Sequence, residues 1–336
     1  MQVGEDDVQR TASNQAAPRH SLRRVKLEAV PDLQNEFTWS HSRARCFSQC
    51  PRAYWFTYYG SWGGWSDDAA AEVRDAYVQK KLTTIPMWTG TVVHGVAEAV
   101  LRAARTEAWV PGVDEAVGRA REGASRDIAG SANGSWLRRP AKRTGFAEHY
   151  YSQAVENSRW DAAIDEIERQ VRSLYDNKYF RRLLQVPQRI RELEDLRRFR
   201  VGDTDVYVVI DVAVEDDRGG LVIIDWKTGD NHDDDNIAAQ LGIYGLYSVR
   251  ELGVAEDAIT AMHVNLRHGT ATRHAVDSAA MAKAASAVAE SAAAMRAKLR
   301  DVGNNIADKD DFQVLPPGAE ACRRCNFRRS CARENC

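Results

Sequence analysis

The sequence predicts an α/β fold, and three observations carry that expectation. Apolar residues recur at helical spacing in long stretches before residue 186, β-branched runs cluster after residue 190, and the turn signal "DDRGG" (216–220) separates two of those runs. At 336 residues the chain is long enough to bury a large core, and 44% hydrophobic with 28% charged residues reads as globular. No stretch approaches the roughly 20 apolar residues that span a bilayer, so no membrane partner is expected. The first residues, "MQVGEDDVQRTASNQAAPRHSLRRVK", lack the apolar centre of a secretion signal. A cytoplasmic location follows, where clustered cysteines are more often metal ligands than disulfides. A net charge of -2 gives no global sign of nucleic-acid binding, so any basic surface is local.

Taken in order, residues 1–36 are polar without sustained periodicity and read as a flexible arm. Order is expected from "FTWSHSRARCFSQCPRAYWFTYYG" (37–60), where aromatic residues recur at helical spacing after a cap at Ser40 or Ser42. "GTVVHGVAEAVLRAARTEAW" (90–109) opens on glycine and continues as an amphipathic helix. Further helices are expected over 112–129 and 146–185, separated by the Gly/Ser/Asn-rich "AGSANGSW". "RIRELEDLRRFRV", "DVYVVIDVAVE" and "LVIIDWKTG" then read as consecutive antiparallel strands. A helix over 236–252, a strand in "ITAMHVNLRHG" and an alanine-rich helix over about 277–301 complete the order, with no internal repeat.

The chemistry sits on the strand cluster. If "DDRGG" folds its flanking strands together, Asp211 comes opposite residues 224–226 and therefore close to Asp225. Side chains alternate along a strand, so Asp225 and Lys227 share one face and Trp226 takes the other. Two carboxylates crowded at the edge of an apolar sheet are costly unless a cation sits between them, and a hard divalent ion with oxygen ligands resolves the conflict. Lys227 is then placed to orient an attacking water or to stabilise charge developing on a phosphate. An Asp before a turn and a lone "DxK" are each common; the succession of apolar strand, Asp, tight turn, apolar strand and Asp-x-Lys-Thr-Gly is not. Taken alone, His94 reads as a helical histidine, Glu98 as a surface charge, and Gln240 with Tyr244 as the polar rim of a helix. Asp233, Asp234 and Asp235 read as a solvated loop capping the next helix.

Cys322, Cys325 and Cys331 are spaced C-x2-C-x5-C, which gathers three thiolates and leaves a tetrahedral site one ligand short. Cys336 is the local candidate for the fourth and Cys50 the distant one; zinc and an iron-sulfur cluster suit four thiolates equally. The interleaved Arg323, Arg324, Arg328, Arg329 and Arg333 suit either the charge of such a centre or a nucleic-acid backbone. The aromatic "YWFTYYGSWGGW" divides between core and base-stacking surface.

"GTVVHG", "VIDVAVEDDRGGLVIIDWKTG" and "QLGIYGLY" resemble the successive motifs of the PD-(D/E)XK nuclease superfamily in its RecB-like branch. The resemblance covers residues 37–60, 88–102, 190–270 and the C-terminal segment, leaving the middle helical region largely unmatched. It implies a restriction-endonuclease-like core, a mixed central β-sheet flanked by helices. His94 matches the motif histidine, Asp211 and Asp225 the metal-binding carboxylates, Lys227 the catalytic lysine, and Trp226 the residue whose backbone carbonyl completes the metal shell. Gln240 and Tyr244 match the helix motif that follows, on one helical face by their i, i+4 spacing. "CPRAYWFTYYG" and "CRRCNFRRSC" resemble the two cysteine elements of relatives with an iron-sulfur cluster, including those of CRISPR adaptation and the AddB type. That resemblance implies a four-iron four-sulfur cluster on Cys50, Cys322, Cys325 and Cys331, with Cys46 and Cys336 as spares.

The expectation is thus an arm (1–36) and one nuclease domain (37–336), with a helical insertion at about 105–185 and cluster segments at 37–60 and 316–336. The implied activity is Mg or Mn dependent hydrolysis of DNA, as an exonuclease on single-stranded ends. The rival is a DNA-binding or assembly module with a silent nuclease centre, against which the intact Asp211, Asp225 and Lys227 argue. No P-loop is present in the sequence, so an ATP motor would come from a partner such as a helicase; a CRISPR adaptation protein is the other partner implied.

Overall fold

A computed structural model describes residues 34–230 and 234–331 of the chain. Most of the expected arm, together with Asp233, Arg333 and Cys336, lies outside the described residues. The helices are α1 (His41–Gln49), α2 (Pro51–Trp55), α3 (Ala71–Lys80), α4 (Ile85–Arg105), α5 (Val113–Ala132), α6 (Ala147–Tyr150), α7 (Asn157–Asp176), α8 (Lys178–Gln185), α9 (Asp234–Leu252), α10 (Ser278–Arg296) and α11 (Glu320–Arg323). The strands are β1 (Leu82–Thr83), β2 (Gly145–Phe146), β3 (Ile190–Glu192), β4 (Leu196–Val201), β5 (Thr204–Val209), β6 (Val212–Glu215), β7 (Leu221–Lys227), β8 (Ile259–Asn265) and β9 (Thr270–His274).

The central sheet runs β3-β6-β7-β8-β9 and is mixed: β7 pairs parallel with β8, and the other neighbours pair antiparallel. The parallel pair needs a crossover, which α9 supplies. "DDRGG" closes the β6–β7 hairpin as predicted, with Asp216 Oδ1 accepting from the amides of Arg218 and Gly220 and Gly219 in the left-handed region at φ 79°. Val212 pairs with Ile224, so the next register position sets Asp211 against Asp225.

Both faces of the sheet are covered. Val212, Ile224 and Trp226 pack with α4, α5, α7 and α8, whereas Ala213, Leu221 and Ile223 pack with α9, α10 and the aromatic N-terminal helices. The alternation places Trp226, 1% exposed, in the first core and turns Asp225 toward α9.

Two of the three expected strands are broken. "RIRELEDLRRFRV" divides into β3 and β4 around Glu194, whose φ is 50°, and "DVYVVIDVAVE" divides into β5 and β6 at Ile210–Asp211. The Glu194 amide donates to Ile210 O at 2.9 Å, joining the two breaks and freeing β4–β5 to leave the sheet as a separate hairpin. Trp39 lies along that hairpin, its N–H donating to Asp205 O and its carbonyl accepting from Tyr207. Helix α4 begins at Ile85, ahead of the expected Gly90, because Pro86 suits a first turn whose amides have no helical partner. Gly90 serves instead as a close approach: a Cβ there would stand 2.7 Å from Thr228 Oγ1 at the end of β7.

Candidate active site

The β6–β7 hairpin, α4 and the β3–β4 break converge on one polar centre. Asp211 (9% exposed) and Asp225 (1% exposed) are both buried. Asp211 Oδ2 accepts from Trp226 N at 2.7 Å and stands 3.7 Å from His94 Nδ1, one helical turn beyond Gly90. The same His94 nitrogen stands 3.2 Å from Glu194 Oε1. Among the described residues, His94, Glu194 and Asp211 are the His, Cys, Asp or Glu donors whose ligand atoms all lie within 4.8 Å of one another. Lys227 Nζ pairs with Asp225 Oδ2 at 2.6 Å and reaches Gln240 Oε1 at 3.5 Å, while Gln240 Nε2 donates to Tyr244 OH at 2.6 Å. The expected catalytic and metal residues are therefore brought together, and Glu194 joins them.

The electrostatics of this centre call for a cation. Neither Asp225 oxygen has a well-aligned hydrogen bond; the Lys227 ammonium touches Oδ2 only as an ion pair. Burial pushes the carboxyls of both Asp211 and Asp225 upward, and for Asp225 the neighbouring Asp211 charge adds to it. Burial opposes a charge on His94 as well, but Asp211 and Glu194 outweigh it and bring its imidazole up to about 9. A set of one imidazole and three carboxylates suits a divalent cation, which would pair with the charges that burial disfavours. His94, Glu194 and Asp211 are the side chains whose donor atoms stand close enough together to hold one, and Asp225 lies beside them.

A pH dependence follows for the metal-free protein. The folded state holds the His94 proton more tightly than the unfolded chain does. Its stabilising contribution is therefore full below pH 6.5 and lost as pH rises to about 9. The raised carboxyls act in the same sense at lower pH, because their ionisation costs the folded state more than the unfolded one. Melting temperature followed in chelator from pH 6 to 9.5 is expected to fall through that range, with a shallower fall in His94→Gln. A wild-type midpoint that does not move would contradict this electrostatic arrangement.

Other singled-out residues have simpler places. Glu98 pairs with Arg102 at 2.8 Å along the α4 surface, and Asp234 and Asp235 are exposed in the first turn of α9. Arg328 is 8% exposed, lies over the Tyr151 ring at 4.1 Å and donates to Arg323 O, so it packs the fold. In the aromatic run, Tyr54 and Phe56 are core, whereas Trp62 and Trp65 are exposed and meet edge to face.

Cys46, Cys50, Cys322, Cys325 and Cys331 line one pocket of about 680 Å³ between α1–α2 and the segment around α11. Cys50 caps α2, its Sγ accepting from Ala53 N, and Cys325 Sγ accepts from Phe327 N at 3.3 Å. Burial pushes the Cys325 thiol up to about 12 and that of Cys46 to about 11, so at neutral pH a thiolate there needs a metal partner. The segment around α11 is anchored by Phe327 stacked on Phe56 with centroids 5.2 Å apart. Asn326 Nδ2 donates to Leu82 O, and Tyr151 OH donates to Asn326 O.

A family model of the PD-(D/E)XK nuclease superfamily matches residues 38–332. The chain belongs to this superfamily. No curated protein matches the chain. Membership in the PD-(D/E)XK superfamily suggests a metal-dependent nuclease chemistry, with DNA as substrate, and the clustered donors of His94, Glu194 and Asp211 fit the divalent ion that such nucleases use. The mixed sheet flanked by helices is consistent with the PD-(D/E)XK fold. Among the described residues no helix is long and apolar enough to cross a membrane.

Proposed function

We propose that the chain is a Mg or Mn dependent deoxyribonuclease of the RecB-like branch, acting as an exonuclease on single-stranded ends. The observation that carries this reading is the register of β6 and β7, which sets Asp211 against Asp225 beside Lys227 within reach of His94 and Glu194. When bound, a divalent cation supplies Lewis acidity toward a phosphate oxygen and lowers the pKa of water. Asp211, Asp225, His94 and Glu194 would hold that charge, with the Trp226 carbonyl as the backbone donor. Lys227, steadied by Gln240 and through it by Tyr244, orients the attacking water and faces the charge that develops on the phosphate.

Cys50, Cys322, Cys325 and Cys331 are proposed to carry a four-iron four-sulfur cluster. Four of the five cysteines that line the pocket of about 680 Å³ match the resemblance's ligand set, and that supports the cluster reading. The cluster would clasp segments more than 270 residues apart, a structural role. A cytoplasmic setting and a helicase or CRISPR adaptation partner complete the proposal.

Digestion of DNA labelled at one end, single- and double-stranded, with Mg, Mn or chelator, tests the activity. Wild type is expected to release short labelled products from single strands only with metal, and Asp225→Ala to release none. Equal cutting by the two proteins would leave the silent binding module as the better reading.

A further inference from the structure

Beside Lys227 lies a pocket of about 410 Å³ between the start of α1 and α9, lined by Ser40, His41, Ser42, Arg43, Gln240 and Tyr244 among others. Its most telling member is Arg43, a guanidinium only 4% exposed. It lies over the Tyr58 ring at 4.3 Å and donates to Tyr54 OH, Thr38 Oγ1 and Tyr59 OH, all of them neutral. Among the described residues no carboxylate lies within ion-pair distance of it. A guanidinium carries five N–H donors, so these three acceptors leave part of its fork unsatisfied. A buried charge held only by hydroxyls and ring faces is costly, and an anion in the pocket would complete it.

The surroundings suit an anion as well. The N-terminal end of α1 opens on the pocket, and no acidic side chain stands in its first turn to offset its partial positive charge. Ser40 and Ser42 place hydroxyls there, 3.1 Å apart. On the opposite wall Gln240 takes its hydrogen bond from Lys227, so pocket and centre share a side chain. His41, bonded to Asn236 Oδ1 at 2.7 Å, is close enough to Lys227 and Asp225 to feel both charges.

We propose that this pocket binds a phosphate group of the nucleic-acid strand, adjoining the one that is cut. The proposal rests on the nuclease reading and adds to it a subsite that fixes the strand beside the bond to be broken.

The test couples a neutral phosphate analogue to pocket variants. Single-stranded oligonucleotides with one methylphosphonate at successive linkages, and with or without a terminal phosphate, are titrated against full-length protein in chelator by fluorescence anisotropy. For wild type, neutralising or removing one phosphate is expected to weaken binding about tenfold, the size of one charge-assisted contact. In Arg43→Gln that position-specific loss should vanish. Ser42→Asp, at an exposed position that keeps the fold, should reverse it, so that the neutral linkage binds better than the charged one. A terminal phosphate as the sensitive position identifies a strand end in the pocket, and an internal linkage identifies a continuing strand. The same sensitive position with an undiminished loss in Ser42→Asp, or no sensitive position in wild type, overturns the proposal. Cleavage run in parallel with Mg or Mn separates the two ideas: coupling without cutting sinks only the nuclease reading, and cutting without coupling sinks only the pocket.

Discussion

Asp225→Asn is expected to abolish DNA cleavage while raising the melting temperature of the metal-free protein. Asp225 is 1% exposed and shares its surroundings with Asp211, while Glu194 adds a third carboxylate at the same His94 nitrogen that Asp211 faces. Against these three stand Lys227 and the His94 imidazole, held near pH 9 by its neighbours. Asparagine keeps the shape, removes one buried negative charge and leaves the opposing charges balanced, so the folded state gains. A rise of a few degrees, equivalent to about 1 kcal/mol for a chain of this size, is the expected scale. Cleavage should drop by about a thousandfold or more, the cost of losing a major electrostatic contributor. Adding Mg or Mn should stabilise wild type and leave the variant nearly unmoved. An asparagine variant that melts lower in chelator, or cuts at the wild-type rate, would show that the crowded carboxylates do not form a metal site.

The parts of this centre that were legible in the sequence are those set by local geometry. The juxtaposition of Asp211 and Asp225 follows from "DDRGG" and strand alternation, both short-range, and the register of Val212 with Ile224 agrees with it. Glu194 was not legible, because its place depends on a left-handed residue that breaks an apparent strand and on an amide bond to Ile210 from another break. A strand-length run carrying "ELED" in its middle was the available signal, since adjacent charges in a half-buried strand fit poorly. Strand β9 was missed because "TATRH" sits at the sheet edge with its residues largely exposed and has no apolar face to show. The meeting of Cys50 with the three late cysteines was legible through resemblance alone, since spacing along the chain left Cys336 as open as Cys50.

Cys50→Ser is expected to cost the protein the proposed cluster and, with it, much of its stability. Serine is itself a good helix cap and can still accept from Ala53 N, so the start of α2 survives and the loss reports the missing ligand. A link closing more than 270 residues restricts the unfolded chain by an amount that a cross-link model sets at about 5 kcal/mol. Iron and sulfide analysis, visible absorbance and thermal melting after anaerobic purification are the measurements. Wild type should be coloured and carry iron; Cys50→Ser should be colourless and melt far lower. Cys46→Ser and Cys336→Ser should keep the metal. A colourless wild type containing zinc would replace the iron assignment, and a metal-replete Cys50→Ser beside a metal-free Cys336→Ser would move the fourth ligand.

The stacking of Phe56 on Phe327, with the Asn326 and Tyr151 bonds around it, bears on the chain while it is being made. At about 5–20 residues per second, the ribosome adds the intervening stretch on the order of tens of seconds after the aromatic helices have emerged. Throughout that interval Tyr54 and Phe56 have no finished surface to bury against, since Phe312 and Phe327 do not yet exist. Nascent chains halted before residue 312 therefore keep these aromatic rings open to a chaperone, and synthesis of Phe312 through Phe327 supplies the surface that covers them.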